Sequence, residues 1–282
     1  MTPKLIIHGG FFSESDTDIS VKKAKQDALA NFADQGKAYL TSHTALETAI
    51  FLCTLLEDCP LFNAGIGSRI QKDGLIRMSA SIMDGKTKEF SGIINIQDVQ
   101  NPILVAEQLL KEEDKVLADQ GASDFARNAG FTMFDVKTQE RIDEFESNQK
   151  GVKTGTVGSV VIDSNGMIAA CTSTGGKGYE RVGRVSDSCT IAGNYANDDA
   201  GVSCTGVGED IVRAGLAVKV VTRVSDGMTL EESANRTFSE MKEYDGFGGI
   251  IAIDKFGNIL HQDSHPYMVW ALNDGVQTEV FK

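Results

Sequence analysis

Apolar positions come in short runs broken by glycine and by charged stretches. Lys4-Leu5-Ile6-Ile7 predicts a short buried strand ending at His8-Gly9-Gly10. Ile19, Val21, Ala24, Ala28, Leu29 and Phe32 recur at helical spacing over residues 18–35, with Gly36 as a stop. A second helix opens at Thr44 with Glu47 as a capping box and runs to Leu56. A loop of small residues follows, Glu57 to Gly67. Asp73-Gly74 predicts a hairpin between 69–71 and 75–77. Strands fit 78–83 and 90–96, and helices fit 102–110 and 123–128. Beyond Thr156 the pattern predicts strands over 156–163 and 167–174. A strand near 202–208 enters a long helix, 209–224, and another helix follows over 230–244. A hairpin over 248–260 and a closing strand, 268–272, complete the series. This order is not a regular βαβ alternation. It predicts an α+β fold with two mainly antiparallel sheets and helices outside.

Residues 137–155 interrupt the pattern. They are charged, carry few apolar anchors and predict a frayed helix followed by a mobile linker. So polar a segment inside a single domain of residues 1–282 needs a reason, and a processing site at its end would be one. Next comes Gly155-Thr156-Val157-Gly158, at the head of an apolar strand. The turn Ser164-Asn165-Gly166 ties that strand to its successor. A three-residue loop sets Thr174 opposite Thr156, whereas a two-residue Asn165-Gly166 loop sets Gly175 there.

Composition changes the picture little. With 41% hydrophobic and 24% charged residues, a sizeable core is expected and global disorder is not. The net charge of −13 argues against nucleic-acid and anionic-membrane partners, which need basic surface. No stretch approaches the ~20 apolar residues of a membrane span. The apolar run after Met1 is too short for a signal-peptide core, so a cytoplasmic protein is expected. The five cysteines show no CxxC and no zinc spacing, and are read as reduced, mostly buried thiols.

The candidate chemistry centres on Thr156. Cutting the Gly155-Thr156 bond would give one residue both a hydroxyl nucleophile and a free α-amine, an established way to activate threonine. Such an amine has a pKa of about 7.7–8 and is partly neutral near pH 7. Taken alone, Thr156 reads more readily as an ordinary strand-edge threonine. Arg184 and Asp187 could be a plain surface ion pair. Thr205-Gly206-Val207-Gly208 before a helix could cradle phosphate, but lacks the third glycine and the βαβ unit of that motif.

Read together, Gly155-Thr156-Val157-Gly158, Thr172-Ser173-Thr174-Gly175-Gly176, Gly183-Arg184-Val185-x-Asp187 and Thr205-Gly206-x-Gly208-Glu209 resemble the plant-type asparaginases, also called isoaspartyl peptidases. The resemblance extends upstream through Ile7-His8-Gly9-Gly10, Pro60-Leu61-Phe62-Asn63-Ala64-Gly65 and Ile82-Met83-Asp84-Gly85. It implies an N-terminal-nucleophile hydrolase with a four-layer αββα sandwich. The precursor would cut itself between Gly155 and Thr156 into an α subunit, 1–155, and a β subunit, 156–282. The substrate would be a β-aspartyl dipeptide or asparagine, and the assembly a homodimer of αβ units. By the same likeness Thr156 is nucleophile and base, Thr174 tunes its hydroxyl, and Thr205 with the Gly206 amide forms an oxyanion hole. Arg184 and Asp187 would hold the substrate's α-carboxylate and α-ammonium; Gly206 and Gly208 would line the pocket, with Asn63 near the nucleophile. No organic cofactor is implied. A structural sodium ion is, held by backbone carbonyls of Leu56, Glu57, Cys59, Phe62, Ala64 and Ile66. The chain departs from the family pattern at Phe11-Phe12, Ser79, Gly178-Tyr179-Glu180 and Asp210. The acids Glu180 and Asp210 point to a basic second residue in the dipeptide. Competing readings are a glycosylasparaginase-like amidase, a threonine endoprotease and an uncleaved homologue that only binds.

Overall fold

A computed structural model describes residues 1–11, 19–147 and 155–282. In chain order the elements are β1 (Lys4–Phe11), α1 (Ile19–Leu40), α2 (Ala45–Glu57), β2 (Met78–Asp84), β3 (Phe90–Ile96), α3 (Pro102–Leu109), β4 (Val116–Ala118), α4 (Asp119–Asn128) and α5 (Gln139–Glu146). After the gap come β5 (Val157–Ile162), β6 (Ile168–Thr174), β7 (Asn194–Ala196), β8 (Ala200–Gly206), α6 (Gly208–Ala214), α7 (Leu216–Ser225), α8 (Leu230–Lys242), β9 (Gly248–Asp254), β10 (Ile259–Asp263), β11 (Met268–Asn273) and β12 (Thr278–Val280).

Two sheets stack between helical layers. The larger runs β12-β11-β1-β5-β6-β2-β3-β4, and the smaller runs β10-β9-β8-β7. All pairings are antiparallel except β3 with β4. The two-residue period of a strand explains the layering. Leu5 and Ile7 face a core shared with α1 and α2, whereas Ile6 joins Val160, Ile162, Ile251 and Ile253 between the sheets. On β9, Ile250 and Ala252 turn the other way, onto Leu216, Val220 and Phe238 of the second helical layer. The central strands read as unbroken apolar runs because both of their faces are covered. The α+β, αββα expectation therefore holds.

Several local expectations change. Residues 69–77 form a turn, not a hairpin of strands. Gln71 N bonds Leu75 O (2.8 Å) across the turn, but the backbone groups beside it bond outward, Tyr179 N to Ile70 O (3.1 Å) and Lys72 N to Glu180 O (3.4 Å), and Arg77 folds back onto Asp73 and Gln71. The long helix expected at 209–224 breaks at Gly215, which adopts a left-handed φ of 60° between α6 and α7. The segment expected to fray holds α5, docked by Arg141 Nε on Gly67 O (2.9 Å). The remainder of that expected linker, 148–154, lies outside the described residues. The Thr44 capping box is present, and the cysteines are free, with only Cys59 partly exposed. Among the described residues no helix is long and apolar enough to cross a membrane.

Candidate active site

The β5–β6 register decides what stands beside Thr156. Val157 pairs with Ser173 and Ile162 with Ile168. The loop is the three-residue form, closed by Gly166 N to Asp163 O at 3.0 Å with Gly166 at φ 79°. Thr156 Oγ1 accordingly donates to Thr174 Oγ1 at 3.1 Å. Thr174 Oγ1 also accepts from Gly176 N at 3.1 Å, which fixes its rotamer. Thr156 itself is 7% exposed, so its hydroxyl sits at a site shielded from bulk water.

Asn63 straps the two strand ends together. Its backbone N–H donates to Gly155 O (3.2 Å) and its carbonyl accepts from Gly175 N (2.8 Å). Its side chain donates to Gly176 O (2.5 Å) and accepts from Arg69 N (3.0 Å). The Gly155 carbonyl, which Thr156 would attack, is thus already polarised by an N–H.

Behind the threonine lies a buried polar network. His8 Nε2 meets Ser203 Oγ at 3.0 Å, and Ser203 Oγ meets Thr172 Oγ1 at 2.6 Å. Burial pushes the His8 imidazole down to about 3, against an opposing pull from the Thr156 backbone. The ring is therefore neutral at pH 7. It links β1, β6 and β8, the strands that frame the Thr156 end of β5.

The second half of the site comes from the β6–β7 connection and the β8–α6 turn. Asp187 is buried and its Oδ2 has no hydrogen-bond partner. Burial raises its carboxyl to about 7, although the nearby Arg184 opposes the rise. Gly208 closes over both groups. A Cβ there would lie 2.7 Å from Asp187 Oδ1 and 2.9 Å from an Arg184 guanidinium nitrogen, so only glycine permits the approach. Arg184 forks onto Glu209, Nε to Oε1 at 2.9 Å and the second nitrogen to Oε2 at 3.0 Å. That fork holds the Glu209 carboxyl down at about 2 and demonstrates carboxylate geometry at Arg184. On β8, Thr205 Oγ1 is buried and likewise without a partner. Unpaired buried polar atoms are costly, so a hydroxyl and a carboxylate left open in one site point to a polar ligand.

The loop after α2 is closed by its own backbone hydrogen bonds. Cys59 O and Ala64 O accept from Phe62 N (3.2 Å) and Gly67 N (3.1 Å). Glu57 O and Phe62 O sit where Cβ atoms at Gly65 and Gly67 would fall, 2.2 and 1.8 Å from them. These carbonyls are engaged by the loop's own turns and packed against its glycines; backbone oxygens are the ligand type that a hard cation takes.

Sequence reasoning missed the roles of Glu209, Lys177 and Ser203. Glu209 stood inside a recognised motif, but nothing in its spacing told that Arg184 would grip it. The acids behind the expectation of a basic second residue each have one oxygen engaged within the protein, and Glu180 Oε2 is buried without a partner among the described residues. Asp210 Oδ2 accepts from Phe247 N (3.0 Å), and Glu180 is 4% exposed with Oε1 on Lys177 N (3.3 Å).

The family model described as asparaginase matches residues 1–281. A Synechocystis protein named isoaspartyl peptidase/L-asparaginase is 43% identical, covering 98% of this chain and 89% of its own length. The plant-type L-asparaginase of Pyrococcus horikoshii is 34% identical, with 97% of each chain covered. The Homo sapiens isoaspartyl peptidase/L-asparaginase is 34% identical, covering 96% and 93%.

Proposed function

The chain belongs to the asparaginase family, and from that premise we propose that it hydrolyses β-aspartyl dipeptides and asparagine with Thr156 as an autogenerated N-terminal nucleophile. The observation that carries this reading is the 3.1 Å bond from the Thr156 hydroxyl to Thr174, at the residue between Gly155 and the first residue of β5. In maturation Thr156 Oγ adds to the Gly155 carbonyl carbon. The C–N bond breaks, the nitrogen becomes the α-amine, and water hydrolyses the ester. The Asn63 N–H stabilises the charge on Gly155 O.

In turnover the α-amine takes the hydroxyl proton as Thr156 Oγ adds to the substrate's β-carbonyl. Thr174 aligns the attacking oxygen. Thr205 Oγ1 and the Gly206 N–H meet the developing oxyanion. The leaving amine departs with the proton, and water releases aspartate from the ester. Arg184 takes the α-carboxylate and Asp187 the α-ammonium, two groups of opposite charge for a zwitterionic end. Electrophoresis in denaturant with intact mass, wild type beside Thr156→Ala, tests the cut: fragments 1–155 and 156–282 are expected for wild type alone. A wild type that stays intact would favour the reading of a homologue that only binds.

The same proposal includes a sodium ion in the Leu56–Ile66 loop, held by backbone oxygens and supplying rigidity to the segment that ends in Asn63. A higher melting temperature in sodium chloride than in tetramethylammonium chloride is expected, and equal values would remove the ion from the account.

A further inference from the structure

Beside the anchor lies a cavity of about 470 Å³, within the range that takes an amino acid or small ligand. It borders the anchor through Arg184, and through Lys177 it adjoins the end of β6, three residues beyond the Thr174 that accepts from Thr156. Its charged lining is Lys72, Lys177, Arg181 and Arg184 against Glu180 and Glu209. Cations thus outnumber carboxylates in a chain whose net charge is −13. The carboxylates are partly engaged, although Glu180 Oε2 is buried with no partner among the described residues. Glu180 Oε1 is turned onto Lys177 N and the Gln71 side chain, and Glu209 is held by Arg184 and Lys177 (3.2 Å). Lys72 and Arg181 are exposed and have no carboxylate partner among the described residues.

The wall is built rather than loose. Tyr179, at a left-handed φ of 56°, donates its N–H to Ile70 O (3.1 Å), stacks on Phe145 and donates its hydroxyl to Phe145 O. These contacts pin the 177–184 segment against α5 and the 69–72 turn, and so fix where the cations stand.

We propose that this cavity receives the leaving residue and selects β-aspartyl dipeptides whose second residue is acidic. The proposal rests on the function proposed above. Clustered charge of one sign in a cleft raises the local concentration of the opposite charge, and salt screens it. Discrimination should therefore follow side-chain charge rather than size, and β-Asp-Gln is the size-matched control for β-Asp-Glu.

The test measures kcat/KM for β-Asp-Glu, β-Asp-Gln, β-Asp-Lys and asparagine on the mature wild type, at about 0.01 M and about 1 M ionic strength. At low salt β-Asp-Glu should exceed β-Asp-Gln by about tenfold, with β-Asp-Lys lowest, and the spread should shrink at high salt. The double variant Lys72→Glu/Arg181→Glu, at two exposed positions, should bring the Glu-to-Lys ratio to one or below. Equal rates for the three dipeptides, a lysine preference, or a ratio untouched by the double variant would overturn the proposal while leaving the function intact. No hydrolysis of any of the four compounds would overturn both.

Discussion

At the scale of single residues, the proposed function divides the site into groups that would touch the reacting atoms and groups that would hold the substrate's end. Thr174 belongs with the first, since its hydroxyl accepts from Thr156 at 3.1 Å. Thr174→Val keeps the shape and removes that partner. Its kcat should fall about 10²-fold with KM changed less than about threefold, as expected for loss of one group acting in the transition state. A comparable loss in KM would move Thr174 to substrate binding. Asp187 belongs with the second set. Its carboxyl is raised to about 7 by burial, with Arg184 opposing and Glu209 adding to the rise. Below about pH 7 it takes a proton and loses the charge that meets an ammonium. kcat/KM for asparagine should therefore fall toward tenfold per pH unit there, on top of the α-amine titration near 7.7–8. The stability sign is opposite: a folded-state pKa above the unfolded value means stability lost as pH rises toward 7. Asp187→Asn should lose most of its kcat/KM, keep only the amine's limb in the pH profile, and melt higher than wild type at pH 8. A lower melting temperature would show that the carboxylate's ionic partners outweigh its burial.

Among the elements, the β5–β6 hairpin was the most legible. Glycine at Gly166 and the identity of its neighbours allowed only two registers, and each brought the 172–176 stretch to Thr156. The three-residue strands β4, β7 and β12 escaped because a two-residue period cannot declare itself over so short a run. The 69–77 segment misled because its turn signal is genuine, while its flanking backbone groups bond to residues far along the chain. The orientation of Glu180 and Asp210 was likewise a tertiary fact, invisible to local spacing. Gly215 is the clearest lesson, since an isolated glycine in an apolar helical pattern reads as tolerated and here is a left-handed break. A Cβ at Gly215 would meet only Val218, at 3.8 Å, so Gly215→Ala isolates backbone strain. It should cost about 1–2 kcal/mol, lowering the melting temperature by a few degrees. An unchanged or higher value would mean that α6 and α7 merge without penalty.

At the scale of the whole molecule, the acidic charge and the αββα layering could be read from composition and element order. The interleaving of the two prospective pieces could not. The larger sheet seats β1, from before the cut, between β11 and β5, from after it, and β6 pairs with β2 across the same divide. The two pieces would therefore be woven along three seams, and a cut before Thr156 would sever the chain without opening the sheet. Cleaved protein should elute as one species from native gel filtration and part only in denaturant; separate elution of residues 1–155 would contradict the weave. A topology laid down by one continuous chain would, if unfolded after such a cut, have to be rebuilt by two. Folding before the cut is an intramolecular search, whereas refolding after it depends on the concentration of both partners. The mature molecule would then persist by the slowness of its unfolding, with the one-chain precursor serving as a template used once and discarded.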